Sequence, residues 1–349
     1  MRSTLRVGVV GYGFATATFH APLIASVPGL ALLAMSSSDP AKVRAAWPAV
    51  EVCDSPDALF ARPDIDLVVI PTPNETHYPL ALKALAAGKH VVVDKPFTLD
   101  AAQARDLILR AETAGRLLSV FHNRRWDADF LTVKQILAAG ALGRLTHFES
   151  HFDRYRPQVR TRWRESGAPG SGLWYDLGSH LLDQTLQLFG TPQTISLDLA
   201  QQRDGAAADD WFHAVLRYDA LRVILHGSAL VPALGPRFAL HGTRGSFTKY
   251  GLDPQEDALK LGGRPGSADW GVDPRPGTLT LSEADALTQR EHAGERGDYS
   301  RYYAAVRDAI LLGAPNPVPA SDALRVMQLI DLGLASYREG RVATLDGLG

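Results

Sequence analysis

The chain of 349 residues is 46% apolar and 21% charged, the balance of a globular protein rather than a disordered, collagenous or coiled-coil one, and its length suits about two domains. Thirty-six Lys and Arg against 38 Asp and Glu give a formal net charge of -2, so neither nucleic acid nor an anionic membrane is attracted globally. A lone cysteine, Cys53, excludes an internal disulfide and a multi-cysteine zinc site and fits a reducing, cytoplasmic setting; no apolar run reaches a signal segment or the ~18 residues of a membrane span.

Leu5–Val10, Leu30–Met35, Leu67–Ile70 and Val91–Val93 read as buried parallel strands, with a further one at Leu117–Phe121. Between them, a helix over Thr76–Ala87 stops at Gly88, and Asp100 caps a helix over Ala101–Ala114 that Gly115 ends. The texture changes after Asn123. A helix at Asp127–Ala139, a strand at Leu145–Phe152 and a helix at Leu173–Phe189 precede period-two runs at Thr194–Ala200, Trp211–Arg217, Arg222–Leu230, Phe238–His241 and Gly245–Tyr250. Asp253–Gly277, rich in Gly, Pro and Asp, reads as an exposed excursion, and helices at Tyr299–Leu312 and Ser321–Tyr337 close the chain. The expected architecture is α/β: an N-terminal Rossmann doubly wound sheet over 1–123, then an α+β domain over 124–349 with a large open mixed, mainly antiparallel sheet.

Gly11-Tyr12-Gly13 follows the first strand, where a dinucleotide fold needs a tight turn and close approach of backbone to pyrophosphate, although Thr16 stands where the third glycine of the fingerprint belongs. An ordinary glycine-rich turn would read the same, and the strand–helix–strand context favours the nucleotide. At the end of the second strand, Met35-Ser36-Ser37-Ser38 lacks the acid that holds a ribose diol, and Asp39 before Pro40 reads as a helix cap. Ser36, Ser37 and Ser38, with Lys42 and Arg44, suit a 2′-phosphate, so NADP is favoured and NAD is the alternative.

Asp94-Lys95-Pro96 puts Lys95 at the carboxyl end of a parallel strand, the edge where such sheets bind ligands. An isolated lysine there would be a solvated loop residue, so its context decides. Gly170 to Asp183 is a glycine-rich lead into a helix, and Asp176 and His180, four apart, share a helical face. A carboxylate beside an imidazole orients it as a base for a hydroxyl proton; the bland reading is a surface ion pair. A metal held by Asp176, His180 and Asp183 lacks any supporting Cys or HExxH pattern, and no metal is expected. Arg154 to Arg164 holds five arginines in eleven residues, read as a solvated or subunit-contacting loop before an anionic-substrate site or a nucleic-acid patch. His147 and His151 share a strand face as packing or surface groups, and His20 and His122 are candidates for the cleft.

Together these residues resemble the Gfo/Idh/MocA family of NAD(P) oxidoreductases, whose Glu-Lys-Pro stands here as Asp94-Lys95-Pro96 and whose Gly-rich Asp-x-Gly-x-His helix stands as Gly170 to Asp183. Pro71 to His77 resembles the family's loop over the nicotinamide, Phe121 to Asp127 its crossover, and Thr18-Phe19-His20-Ala21-Pro22, Ser36 to Asp39, Val91 to Phe97, Phe148 to Arg154 and Tyr250 to Glu256 resemble the NADP-dependent scyllo-inositol dehydrogenase subgroup. The resemblance implies Lys95, Asp176 and His180 as catalytic residues. It implies a cofactor site of Gly11, Tyr12, Gly13, Phe14, Ser36, Ser37, Ser38, Lys42, Thr72, Pro73, Asn74, His77, Asp94 and Lys95. Lys95, Asn123, Arg124, Arg154, Trp163, Asp176 and His180 face the substrate, a polyol or sugar, and a homodimer or homotetramer is the implied assembly. Thr16 for glycine and Asp94 for glutamate are the departures. A dehydrogenase of another sugar or sugar acid is the rival enzyme; a non-enzymatic NADP sensor would have no need of Lys95, Asp176 and His180 together.

Overall fold

A computed structural model describes residues 4–283 and 286–345, and the chain divides into two units. The first runs up to Trp126 and takes in Gln255–Trp270 and Asp298–Arg325; the second holds Asp127–Pro254, Gly271–Gly297 and the chain from Val326 onward. The sequence had pointed to a single break after Asn123, without these returns.

In the first unit, β1 (Leu5–Val10), β2 (Leu30–Ser36), β3 (Glu51–Cys53), β4 (Leu67–Ile70), β5 (His90–Val93) and β6 (Leu118–Val120) form an all-parallel sheet in the order β3-β2-β1-β4-β5-β6. This doubly wound order reverses direction between β1 and β4, so the carboxyl ends of those strands open the crevice where such folds take ligands. Val7, Val9, Val68, Val69, Val91 and Val92 are fully buried, as expected for strands covered on both faces. Asp100 accepts from the Gln103 amide and Gly115 ends the Ala101–Ala114 helix in the left-handed region at φ 60°. Asp39 likewise caps Pro40–Ala46, accepting from the Lys42 amide at 3.1 Å.

In the second unit, β7 (Leu145–His151), β8 (Thr194–Ala200), β9 (Trp211–Arg217), β10 (Arg222–Ser228), β11 (Phe238–Gly242), β12 (Gly245–Lys249), β13 (Gly277–Glu283), β14 (Ala286–His292) and β15 (Ala343–Thr344) make one nine-stranded sheet. Its order is β14-β13-β12-β11-β7-β10-β9-β8-β15, antiparallel except for the β7–β10 pair. Phe148, Phe212, Ala214, Leu216, Val223 and Leu225 bury one face, where Trp174 meets Phe212 edge-on at 5.3 Å and Phe148 meets Phe189 at 5.1 Å. The other face of β7, β9 and β10 is half-exposed, and it carries the imidazoles of His147, His151, His213 and His226.

Three expectations need correction. Asp253–Gly277 is an exposed excursion only over its middle, residues 260–269: Gln255 is fully buried, its amide reaching Trp126 O and accepting from Tyr299 N, and Trp270 is buried with its indole N–H on Asp298. The stretch Trp174–Gly178 is a π-helical turn, and α-helix starts only at Ser179. β13 and β14 extend the sheet beyond the strands anticipated; β14 is polar and exposed along nearly its whole length, so no buried-exposed alternation marks it. No helix among the described residues is long and apolar enough to cross a membrane.

Candidate active site

The nucleotide half belongs to the first unit. Gly11, at φ 82°, occupies backbone space that L side chains rarely adopt, and its N–H donates to Ser36 O at 2.8 Å, tying the β1 turn to the end of β2. A Cβ at Gly13 would meet nothing of the chain within 4 Å, so the room a pyrophosphate requires lies over that turn, at a helix start. Thr16, in place of the third glycine, turns its hydroxyl inward: it is fully buried and donates to Gly11 O at 2.8 Å, within a π-helical stretch Thr16–His20. Phe14 is exposed at 58% and meets Phe19 edge-on at 6.1 Å.

At the end of β2, Ser36 is buried, Ser37 is half-exposed and Ser38 exposed, and Ser37 Oγ accepts from the Asp39 amide at 3.1 Å. The Asp39 carboxylate is engaged by the helix cap, and Lys42 Nζ lies 5.7 Å from the Tyr12 ring centre. This corner therefore presents hydroxyls and an exposed cation beside the glycine turn.

After β4, Thr72 and Thr76 hydroxyls meet at 2.5 Å, Thr76 donates to Pro73 O at 2.7 Å, and Asn74 opens the Asn74–Ala86 helix. His77 is fully buried, its Nε2 2.8 Å from Thr72 O and its Nδ1 2.9 Å from Pro96 O, so it bridges the loops after β4 and β5 instead of facing a ligand. Burial holds its pKa below the ordinary imidazole value, and a neutral ring has one N–H for these two carbonyls.

Asp94-Lys95-Pro96, with a cis Lys95-Pro96 bond, follows β5. Asp94 Oδ1 accepts from the Lys95 amide at 2.7 Å, and Oδ2 lies 3.5 Å from His20 Nε2. Burial raises the Asp94 pKa, but the hydrogen bond and charge of His20, then Lys95 and His77, outweigh it and bring the group to about 2. His20, fully buried, holds Tyr303 OH at 2.6 Å through Nδ1. The Asp94–His20–Tyr303 chain was missing from the sequence reading, because Tyr303 lies 283 residues from His20. Of the two crossover candidates, Asn123 is buried and Arg124 Nη2 is held by Glu256 at 2.7 Å, so that guanidinium has a partner of its own within this unit.

The second unit holds the other half. Gly172, at φ 92°, lets the chain pass Asp209, whose Oδ2 accepts from Trp174 N at 2.7 Å and so caps the π turn carrying Asp176. Burial drives the Asp209 pKa up to about 6. His180 is buried one residue inside the α-helix; with the wider π turn before it, the α-helical spacing argument for Asp176 and His180 does not carry over as stated. Asp176 lies between Arg164 Nε at 3.4 Å and Arg154 Nη1 at 3.8 Å. Trp163, half-exposed, stacks under Arg164 at 4.5 Å. The arginine run is therefore more than a solvated loop: Arg154, Arg156, Arg162 and Arg164, joined by Arg203, line a narrow cleft with Glu165 and Asp176. Arg203, paired to Glu165 at 3.1 Å and Asp210 at 2.9 Å, is a member that sequence spacing gave no means of finding.

Residues 5–122 match the NAD-binding Rossmann model of the Gfo/Idh/MocA oxidoreductases, and residues 134–345 match that family's C-terminal alpha/beta domain. The chain belongs to the Gfo/Idh/MocA oxidoreductase family. It is 58% identical to the uncharacterized oxidoreductase YdgJ of Escherichia coli over 97% of this chain and 98% of that one. It is 38% identical to the scyllo-inositol 2-dehydrogenase (NADP(+)) IolW of Bacillus subtilis, over 98% and 96% of the two chains. A solved Yersinia pestis structure described as an oxidoreductase superposes with a TM-score of 0.95 at 56% identity, covering 99% of this chain and 98% of its own. The Gfo/Idh/MocA glycine turn and its open space thus fit an NAD(P) pyrophosphate on the chain's own geometry.

Proposed function

We propose that this oxidoreductase oxidises a secondary hydroxyl of a cyclic polyol, reversibly, with NADP as cofactor and scyllo-inositol, giving the 2-keto inositol, as the first substrate to test. Two observations carry this reading: in the second unit, the glycine-led π-to-α turn bearing Asp176 and the buried His180, and in the first, Lys95 at the end of β5 with its amide held by Asp94. The name of the IolW relative supports the substrate, and the acid-free Ser36–Ser38 corner with Lys42 supports NADP.

A bound nicotinamide supplies the two-electron acceptor. In this proposal His180 takes the hydroxyl proton as the carbinol is oxidised, and Lys95 donates a hydrogen bond to the same oxygen, stabilising its developing negative charge. Asp176 orients the imidazole and favours its protonated form; in reverse, His180 returns the proton to the alcohol oxygen. Gly11, Gly13, Ser37, Ser38, Lys42 and Thr72 would hold the dinucleotide, with His77 keeping two of its loops in place. Homodimer or homotetramer assembly in the cytoplasm is part of the same proposal.

The test is turnover of NADP⁺ and NAD⁺ by the wild type, His180→Asn and Lys95→Met across inositol isomers, aldoses and sugar acids. Loss of roughly 10²-fold or more in kcat from either substitution, with cofactor affinity kept, is the expected result. His180→Asn at wild-type kcat would sink the assignment. A sugar-acid substrate is the second reading, favoured by the two guanidinium groups flanking Asp176.

A further inference from the structure

On the half-exposed face of the nine-stranded sheet, β7 and β10 run parallel with His151 beside His226 in register. Asp153, two residues past the end of β7, turns its carboxylate between these imidazoles. His151 Nδ1 lies 3.5 Å from Asp153 Oδ2, and His226 Nε2 lies 3.5 Å from Asp153 Oδ1. The Asp153 side chain is only 8% exposed, and its buried Oδ1 receives no hydrogen bond. A buried carboxylate oxygen left in that state is costly unless a cation completes it.

Both contacts are longer than the about 2.7–2.9 Å of a charge-assisted N–H···O bond, and each imidazole reaches a different oxygen of the carboxylate. All three donor atoms lie within 4.8 Å of one another. His151 Nε2 is 3.0 Å from Glu149 Oε2, and His147 holds the other Glu149 oxygen at 2.6 Å. A carboxylate accepts only, so Nε2 of His151 carries a proton, and in the neutral ring Nδ1 then turns a lone pair toward Asp153. In that tautomer two acceptors face each other, and either a proton or a metal ion must lie between them. A carboxylate that fixes the tautomer of a ligating histidine is also the usual outer support of such sites.

We infer that His151, Asp153 and His226 bind one divalent transition-metal ion of the zinc class, supported by Glu149, with its fourth position open on the half-exposed sheet face. Two imidazoles and one carboxylate suit Zn²⁺ or Co²⁺ over Mg²⁺ or Ca²⁺, which take oxygen ligands. From sequence alone His147 and His151 read as packing or surface groups; Glu149, between them on the same strand face, was overlooked, and Asp153 and His226 lie outside that spacing.

The experiment is metal binding by the full chain, untagged and stripped with chelator, using Zn²⁺ alone by calorimetry and Co²⁺ alone by visible absorption. Expected are one ion per chain and the d–d bands of a four-coordinate Co²⁺ site with nitrogen and oxygen ligands. Asp153→Asn and His226→Asn should weaken Zn²⁺ binding by more than 100-fold and Glu149→Gln by about 10–100-fold, while His241→Asn leaves it unchanged. No binding of either ion at micromolar concentration, an octahedral Co²⁺ spectrum, or unaltered affinity in His226→Asn would overturn the site. The wild-type Co²⁺ spectrum decides even where a variant fails to fold.

Discussion

Asp209 shows how one buried group ties the chemistry to the fold. Its Oδ2 caps the turn that carries Asp176, yet burial lifts its pKa from 3.8 to about 6. A carboxyl raised in the folded state favours folding below its unfolded pKa and loses that contribution as pH rises through the folded value. The window is therefore about pH 4 to 6, and the size is on the order of 3 kcal/mol. Asp209→Asn keeps the accepting oxygen without the charge, so its thermal-stability profile should lack the decline the wild type shows across that window. At the proposed cofactor corner, Ser37→Asp would place a carboxylate where the proposal has hydroxyls holding the dinucleotide. NADP⁺ affinity should fall roughly 10- to 100-fold relative to NAD⁺, the scale of losing charge-assisted hydrogen bonds, as read by fluorescence titration of both dinucleotides. The position of Asp94 and Lys95 just past a strand end was legible, since a strand of Val91, Val92 and Val93 announces its own end. What holds them, His20 and Tyr303, was not, because pairing across 283 residues leaves no local pattern.

Among the elements, those legible in the sequence are those whose signals are local. Buried valine runs, Asp100 as a cap and Gly115 as a stop each act within a few residues, and the strands and helices they mark stand where they were read. The Trp174–Gly178 turn escaped because a π bulge leaves apolar periodicity nearly unchanged. Its cause is tertiary: Asp209, from the approach to β9, holds the amide that begins it. Gly172 is the hinge of that arrangement, with φ at 92° and a would-be Cβ only 1.9 Å from Asp209 Oδ1. Gly172→Ala should cost about 2 kcal/mol or more through backbone strain and steric conflict, and it should lower kcat as the turn under Asp176 shifts. Chemical denaturation and steady-state kinetics read the two effects separately. Gln255–Trp270 escaped for the opposite reason: its Gly, Pro and Asp content mimics a loop, while Gln255 and Trp270 are buried by partners distant in sequence.

For the whole chain, the returns of Gln255–Trp270 and Asp298–Arg325 to the first unit set what can be cut away. Tyr302 meets Phe121 at 5.0 Å and donates to Ser119, while Arg125 binds Pro317 O and Asp322. A fragment ending at Trp126 lacks all of these, so it should show no cooperative thermal transition and should bind a hydrophobic dye, whereas the intact chain should unfold cooperatively and leave the dye unbound. On the ribosome the same connectivity imposes an order. The nucleotide-binding unit is the first to be started yet is completed only at Arg325, since Tyr302, which donates to Ser119, follows it by 183 residues. For most of synthesis its sheet must wait half-covered, in the care of chaperones or of its own solubility.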